Sequence, residues 1–95
     1  MPQILLSKVA VEDLERLIIT HSLPADTKER FKRTVRTLER FPRIGRQLEG
    51  RWAAFRAILG PWRWMLVVYV YDEEDDVVLI TTVQDARSSR AATPR

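Results

Sequence analysis

The chain contains no cysteine. This absence excludes disulfide bridges, metal sites built from thiolates and cysteine nucleophiles, and it fits a protein that works in a reducing cytoplasm. We therefore expect no zinc-type chemistry, no metal site and no bound cofactor.

Long hydrophobic runs are also missing. No stretch approaches the roughly 18 apolar residues that a transmembrane helix needs. The segment Met1–Glu15 lacks the basic start, the apolar region and the small-residue cleavage site of a secretory signal. The sequence thus predicts a soluble, cytoplasmic protein without a membrane partner.

Acidic residues are scarce in the middle of the chain. Residues 26–63 contain eleven Lys and Arg against four Asp and Glu, which gives a local charge of +7 within a net charge of +3. Five acids instead follow one another at Asp72–Asp76, where we expect a solvated hairpin tip. Such a one-sided field attracts phosphate groups or an acidic protein partner.

The length of 95 residues predicts a single domain, because a chain of this size folds around one core. Hydrophobic residues make up 45% and charged residues 31%, a composition typical of a folded globular protein. We assign residues 1–89 to the domain and residues 90–95 to a flexible C-terminal tail.

Two helices are predicted after a short strand at Ile4–Leu6. The first helix runs from Lys8 to His21 with Ser7 as its N-cap, and His21 is assigned to the carbonyls at the helix end rather than to catalysis. The second helix begins at Asp26 with a capping-box variant and ends at Phe41-Pro42. Its apolar stripe consists of Phe31, Val35 and Leu38.

Three further strands are predicted at Arg51–Leu59, Trp62–Tyr71 and Val77–Gln84. Gly60-Pro61 and the acidic tip provide the two turns of an antiparallel meander. The fold class is therefore α+β: an N-terminal strand and a two-helix hairpin packed on the meander, in the order β-α-α-β-β-β.

Alternation along the longest strand predicts its two faces. One face, expected to meet the helices and to bury two tryptophans, contains Trp62, Trp64, Leu66, Val68 and Val70. The other face, expected to be partly open, contains Arg63, Met65, Val67, Tyr69 and Tyr71.

The order of these elements combines with several short motifs: Leu38-x-x-Phe41-Pro42-x-x-Gly45, Arg56, the strand centred on Tyr69, and Arg87-Ser88. In order and spacing the chain resembles the RelE/ParE superfamily of toxins from type II toxin-antitoxin systems, over about residues 4–89. The resemblance implies a small cytoplasmic toxin that a cognate antitoxin silences. It implies one of two targets: RelE-like members cleave messenger RNA on the ribosome without a metal, and ParE-like members poison DNA gyrase.

The resemblance to RelE-like nucleases implies catalytic roles for Arg56 and Arg87. The alternative is a structural role, in which these arginines bind strand-end carbonyls or Asp85. Metal-free cleavage needs a proton acceptor, a proton donor and cations that hold the charge on phosphorus, and arginine suits the last task. Arg63 and Tyr69 are further candidates. The chain has Met65 where those nucleases carry a catalytic arginine, and it lacks their later arginine and tyrosine near Asp85 and Ala91. This incomplete set favours ParE-like action.

The remaining candidates are residues for binding the target or the antitoxin: Lys28, Lys32, Arg36, Arg40, Arg51 and Tyr71. The simplest interpretation of the arginines on the second helix is a solvated face. The alternative is a surface covered by the acidic or amphipathic tail of an antitoxin. A third possibility for the whole chain is a nontoxic basic module that binds RNA in a salt-sensitive manner.

Overall fold

A computed structural model describes residues 1–87 of the chain, so the predicted tail at 90–95 and the last two residues of the predicted domain lie outside the described residues. The chain forms, in order, β1 (Gln3–Leu6), α1 (Lys8–Thr20), α2 (Thr27–Val35), α3 (Thr37–Arg40), β2 (Arg46–Gln47), a 3-10 turn (Gly50–Trp52), β3 (Arg56–Leu59), β4 (Met65–Asp72) and β5 (Val77–Asp85). Within this part of the chain, no helix has the length and apolar character needed to cross a membrane.

The strands form one sheet in the order β1-β5-β4-β3-β2. Strands β3, β4 and β5 make the predicted antiparallel meander, and the α+β class is confirmed. Two features were not predicted. β1 pairs with β5 in parallel, which the long connection through the helices and the other three strands permits, and the short β2 adds to the other edge. The sheet is therefore mixed.

The helices cover one face of the sheet. Ala10, Leu14 and Leu17 of α1 pack with the helical stripe Phe31, Val35 and Leu38 on residues of β4 and β5. The predicted burial of the second helix's stripe is thus confirmed. Val11 remains exposed at the edge of the packed face.

Ser7 joins the first helix to the last strand. Its Oγ accepts a hydrogen bond from the Ala10 N–H at 3.0 Å, which confirms the predicted N-cap. The same hydroxyl donates to the Thr81 carbonyl at 2.9 Å. Thr81 is the extra residue of a β-bulge, since Val68 pairs with Thr82 and Tyr69 with Ile80. The helix start and the bulge therefore hold each other in place.

The predicted capping box at Asp26 is wrong. Asp26 precedes α2 with φ −90° and ψ 12°, not in the extended conformation of a usual N-cap, and its side chain makes no capping hydrogen bond. Its Oδ2 instead accepts from Arg30 Nε at 2.9 Å. This bond from the arginine lowers the pKa of Asp26. The helical segment also has an interruption at Arg36, which separates α2 from α3.

The first part of the predicted strand Arg51–Leu59 is not extended, because β3 starts only at Arg56. The segment before it bends through the 3-10 turn. Trp52 and Phe55 are three residues apart, a spacing that places both on the same side of a helical turn. Together with Leu48 they cover the face of the sheet that the helices leave free, and they pack on Leu66 and Val68.

The predicted faces of the longest strand are reversed. Met65, Val67 and Tyr69 point toward the helices, and Leu66 and Val68 point to the other side. The prediction assumed one strand from residue 62, whereas residues 62–64 form a turn and the alternation starts at Met65. Trp62 and Trp64 still pack on the helical side, but from the turn, so their expected packing in the core is confirmed.

A buried carboxylate satisfies a backbone group that the sheet leaves without a strand partner. β1 pairs with β5 only as far as Ile80, so the N–H of Val83 has no neighbour in β1. Asp13 of α1, which is 1% exposed, accepts this N–H at 3.1 Å through Oδ2 and binds Arg16 Nη2 at 2.7 Å through Oδ1. Buried polar groups need such partners.

We predict that Asp13→Ala lowers the free energy of unfolding by roughly 2 to 3 kcal/mol, because it leaves a buried N–H without an acceptor. Urea denaturation followed by circular dichroism measures this. Glu12→Ala is the matched control, since it removes an adjacent, exposed carboxylate, and we expect a change below about 0.5 kcal/mol. Equal effects of the two variants would contradict the assigned role of Asp13.

Candidate functional site

A tight turn at residues 41–44 is anchored to the sheet by the glycine that follows it. The Ile44 N–H donates to the Phe41 carbonyl at 3.0 Å, which closes the turn. The Gly45 N–H then donates to the Tyr69 hydroxyl at 2.9 Å. A Cβ at Gly45 would lie 2.6 Å from that hydroxyl oxygen, so the close approach requires glycine. We call residues 41–44 the clamped turn.

Arg56 fixes the clamped turn from the neighbouring strand. It lies opposite Tyr69 in the β3–β4 pair, and its Nη1 donates to the carbonyls of Gly45 at 2.9 Å and of Arg43 at 3.2 Å. The guanidinium that we predicted to be catalytic therefore holds backbone in this structure. Its catalytic role stays a prediction.

Tyr69 was predicted on an open face, and this is wrong because its side chain is completely buried. Burial raises the pKa of Tyr69, against the smaller opposing effects of the Gly45 hydrogen bond and of Arg56. A phenol without solvent contact meets no phosphate in this conformation. In this fold Tyr69 is the acceptor that holds the clamped turn.

The opposite side of the clamped turn is tied to the acidic tip. Arg43 Nη2 lies 2.6 Å from Glu73 Oε1, and the guanidinium carbon lies 5.0 Å from the centre of the Tyr71 ring. The Tyr71 hydroxyl donates to Asp76 Oδ1 at 2.8 Å, and this bond raises the pKa of Tyr71. Tyr71, predicted to bind a partner, is half-buried beneath Arg43. The tip residues 72–76 are all exposed, as predicted.

Arg87 belongs to a second cluster, at the end of β5. Its Nε and Nη2 each lie 3.0 Å from a carboxylate oxygen of Asp85, and its guanidinium carbon lies 5.1 Å from the Trp64 ring centre. The hydrogen bonds from Arg87 lower the pKa of Asp85. His21 Nε2 lies 3.5 Å from Asp85, and the imidazole is 4.3 Å from the Trp64 ring. The His21 side chain thus contacts this cluster and not the helix-end carbonyls that we expected.

The two predicted catalytic arginines do not share a site. Arg56 lies opposite Tyr69, and Asp85, the partner of Arg87, lies opposite Met65. Four residues along β4 correspond to about 13 Å, and the β3-to-β5 spacing adds roughly 10 Å sideways. Across residues 1–87, no three His, Cys, Asp or Glu side chains are grouped closely enough to hold a metal ion.

The predicted binding residues of the second helix fall beside an apolar groove between α1 and α2. Its volume is about 160 Å³, and it is lined by Leu6, Val11, Leu14, Glu15, Lys28, Phe31, Lys32 and Val35. Lys28 Nζ lies 3.6 Å from Glu15 Oε2 at the rim. Arg36 and Arg40 are exposed further along the helical segment.

Two predicted residues lie apart from this groove. Arg51 is exposed in the 3-10 turn and lies 5.0 Å from the ring centre of Trp52, which covers the other face of the sheet. Arg63 is exposed in the turn before β4, so it does not occupy a strand position. The structure therefore distributes the basic residues over several surfaces.

Sequence reasoning missed the exposure of Phe41 and Ile44 and the position of Arg43. From the sequence, Phe41-Pro42 is interpreted as a helix terminator and as part of the family motif, and Arg43 is counted only as charge. A signal was present, because two large apolar residues flank a Pro-Arg pair outside any helical or strand periodicity.

The family model described as the ParE toxin of the type II toxin-antitoxin system parDE matches residues 4–89. The chain belongs to this toxin family. It is therefore a type II toxin of the RelE/ParE superfamily, as the resemblance implied. A comparison with curated proteins gives no match.

Solved toxin structures share the fold of this ParE-family toxin. The RelBE2 toxin-antitoxin complex of Mycobacterium tuberculosis gives a TM-score of 0.68 at 23% identity, covering 90% of this chain and 99% of that one. The isolated E. coli RelE toxin gives 0.69 at 20% identity, covering 94% and 88%. The intact E. coli RelBE complex gives 0.69 at 17% identity, covering 93% and 100%.

We predict that Tyr69→Phe lowers the free energy of unfolding by roughly 1 to 2 kcal/mol, because the Gly45 N–H loses its buried acceptor. Thermal and urea denaturation measure the effect. Tyr71→Phe is the matched control. Its hydroxyl bond to Asp76 is exposed to solvent, and we expect a loss below about 0.5 kcal/mol. A Tyr69→Phe variant as stable as the wild type would refute the anchoring role.

Proposed function

We propose that this toxin arrests growth by binding DNA gyrase, the target of ParE-type toxins, and not by cutting RNA. The single observation that carries the proposal is that the predicted nuclease residues are either buried or bound to other groups of this chain. Met65 is completely buried at the strand position where RelE-like nucleases carry an arginine. Tyr69 is buried as well, and both Arg56 and Arg87 bind groups of this chain.

Cleavage chemistry requires free cations around the phosphate, placed within hydrogen-bond reach of the reacting atoms. Arg56 directs Nη1 at two backbone carbonyls, and Arg87 forms a two-pronged pair with a carboxylate. Moving either guanidinium to a phosphate would break these hydrogen bonds. A surface that binds a protein has no such requirement, because it needs exposed apolar and charged groups only.

A cognate antitoxin is the second proposed partner. The groove between α1 and α2 has an apolar floor and two lysines at its rim, which fits an amphipathic helix with acidic flanks. The fold comparison includes toxin-antitoxin complexes such as E. coli RelBE, in keeping with this assignment. The helix-face residues Arg36 and Arg40 extend the basic surface beyond the groove.

A second candidate function is metal-free cleavage of messenger RNA. It is favoured by the cluster at the end of β5, where His21 offers a proton acceptor, Trp64 a stacking surface and Arg87 a cation within a few ångströms of one another. The carboxylate of Asp85 neutralises the cation in this arrangement, which weakens its attraction for phosphate. If the chain cleaves messenger RNA, then messenger degradation, and not loss of supercoiling, is the first defect expected after induction.

We predict that inducible expression of the chain in a bacterium arrests growth and that plasmid supercoiling fails while messenger RNA remains intact. Supercoiling on chloroquine gels and messenger length on northern blots are followed in the same culture. Messenger fragments that appear before any change in supercoiling would favour the nuclease. Unimpaired growth, together with salt-sensitive RNA binding, would favour the nontoxic RNA-binding module.

We predict that Lys32→Glu weakens binding of the cognate antitoxin by roughly three- to ten-fold, mainly through slower association, since rim charges steer encounter. Surface plasmon resonance at two salt concentrations measures both rates. Lys8→Glu makes the same charge change at an exposed site outside the groove and is expected to leave the affinity within about two-fold. Identical losses for both variants would indicate only a general effect of net charge.

A further inference from the structure

The clamped turn exposes two large apolar side chains next to each other. Phe41 is 56% and Ile44 is 58% exposed. They occupy the first and last positions of a four-residue turn, whose Cα atoms lie within about 7 Å by definition. This spacing allows both apolar side chains to contact the same partner surface, and we call Phe41 and Ile44 together the patch.

Backbone polar groups next to the patch are bound to the sheet. The Gly45 N–H donates to Tyr69, and the carbonyls of Arg43 and Gly45 accept from Arg56. The Arg43 guanidinium lies at the surface, over the Tyr71 ring and paired with Glu73. In an ordinary surface turn the backbone polar groups face water and the apolar side chains face the core. Here the protein's own hydrogen bonds hold the apolar residues at the surface.

This anchoring makes the turn rigid before any partner arrives. Pro42 restricts the backbone at the second position of the turn. Hydrogen bonds from the sheet hold Gly45 on both its N–H and its carbonyl. A contact that is ordered in advance loses less conformational entropy on binding, so more of its burial energy appears as affinity.

Cations precede and follow the patch in the sequence, while Arg43 inside the turn is paired with Glu73 of the acidic tip. Arg40 precedes Phe41 and Arg46 follows Gly45, and both are exposed. Among residues 1–87 neither makes an ion pair. Aromatic side chains and arginines are both enriched in protein interfaces. The positive charges of Arg40 and Arg46 are complementary to carboxylates on the surface of a partner.

We propose that the Phe41–Ile44 turn is the contact by which this toxin holds its protein target, and that it inserts into an apolar pocket rimmed by carboxylates. This inference rests on the proposed function, because it names the part of the toxin that engages gyrase. It assigns Arg56 as a positioning residue that acts through the turn. An RNA ligand fits less well, since Ile44 has no flat surface for a base to stack on.

The test compares Ile44→Ala with Ile19→Ala, which makes the same truncation at a site that is 79% exposed near the end of α1. Binding of each full-length variant to purified DNA gyrase is measured by surface plasmon resonance, and growth arrest is scored after induction. Circular dichroism melts confirm the fold. We expect a roughly ten-fold weaker affinity for Ile44→Ala and about a hundred-fold loss for the Phe41→Ala and Ile44→Ala double variant, with Ile19→Ala unchanged.

The outcomes separate this inference from the proposed function. A wild-type chain that neither binds gyrase nor arrests growth overturns both. If the wild-type chain and the double variant bind gyrase and arrest growth equally well, the role of the turn is overturned and the proposed function stands. Loss of gyrase binding with Phe41→Ala but not with Ile44→Ala also overturns the role of the turn, since the proposed contact requires both apolar side chains.

Arg56→Lys adds a readout specific to positioning. Lysine keeps the charge, but it is shorter and lacks the planar guanidinium that directs both Nη1 hydrogens at the two carbonyls. We expect gyrase binding to weaken about three- to ten-fold. Because the variant's turn is mobile and must be ordered on binding, we expect this loss mainly as a slower association rate. Faster hydrogen exchange at the amide of Gly45 would accompany the loss. Unchanged exchange and unchanged binding would contradict the positioning role.

Discussion

The buried hydrogen bond between the Gly45 N–H and the Tyr69 hydroxyl is the interaction on which the functional surface depends. It requires a tyrosine at position 69 of β4, and at position 45 a residue without Cβ that leaves room for the hydroxyl. Arg56 adds its bonds to the same segment from the next strand. Three residues that are far apart in sequence thus fix one surface turn.

The same constraint supports the proposal that this ParE-family toxin does not act by cutting RNA. Two of the groups that resemble catalytic residues, Arg56 and Tyr69, serve the turn. Met65, at the position of a third, fills the core beside the helices, where an arginine would need a buried counter-charge. Because these three positions serve packing and the turn, recognition of a partner falls to other, exposed residues. This is consistent with a toxin that acts by binding.

Local signals in the sequence predicted local structure well. The N-cap at Ser7 and the stripe of Phe31, Val35 and Leu38 depend on neighbours within a few residues, and both are confirmed. The faces of β4 were reversed because their assignment depends on where the preceding turn ends, and a shift of one residue exchanges the two faces. Asp13 binds an N–H seventy residues away, a pairing that no local pattern encodes.

The proposed antitoxin groove and the proposed target contact lie along one helical segment. Lys28 and Lys32 line the groove near the start of α2, and α3 ends at Arg40, directly before the clamped turn. Twelve positions separate Lys28 from Arg40, which corresponds to roughly 18 Å in helical geometry. A helical antitoxin segment of similar length, or about six extended residues, spans that distance. One continuous tail of that length would occupy the groove and cover Phe41, so under both proposals an inhibitor that docks on the helices would also block a target that docks on the turn.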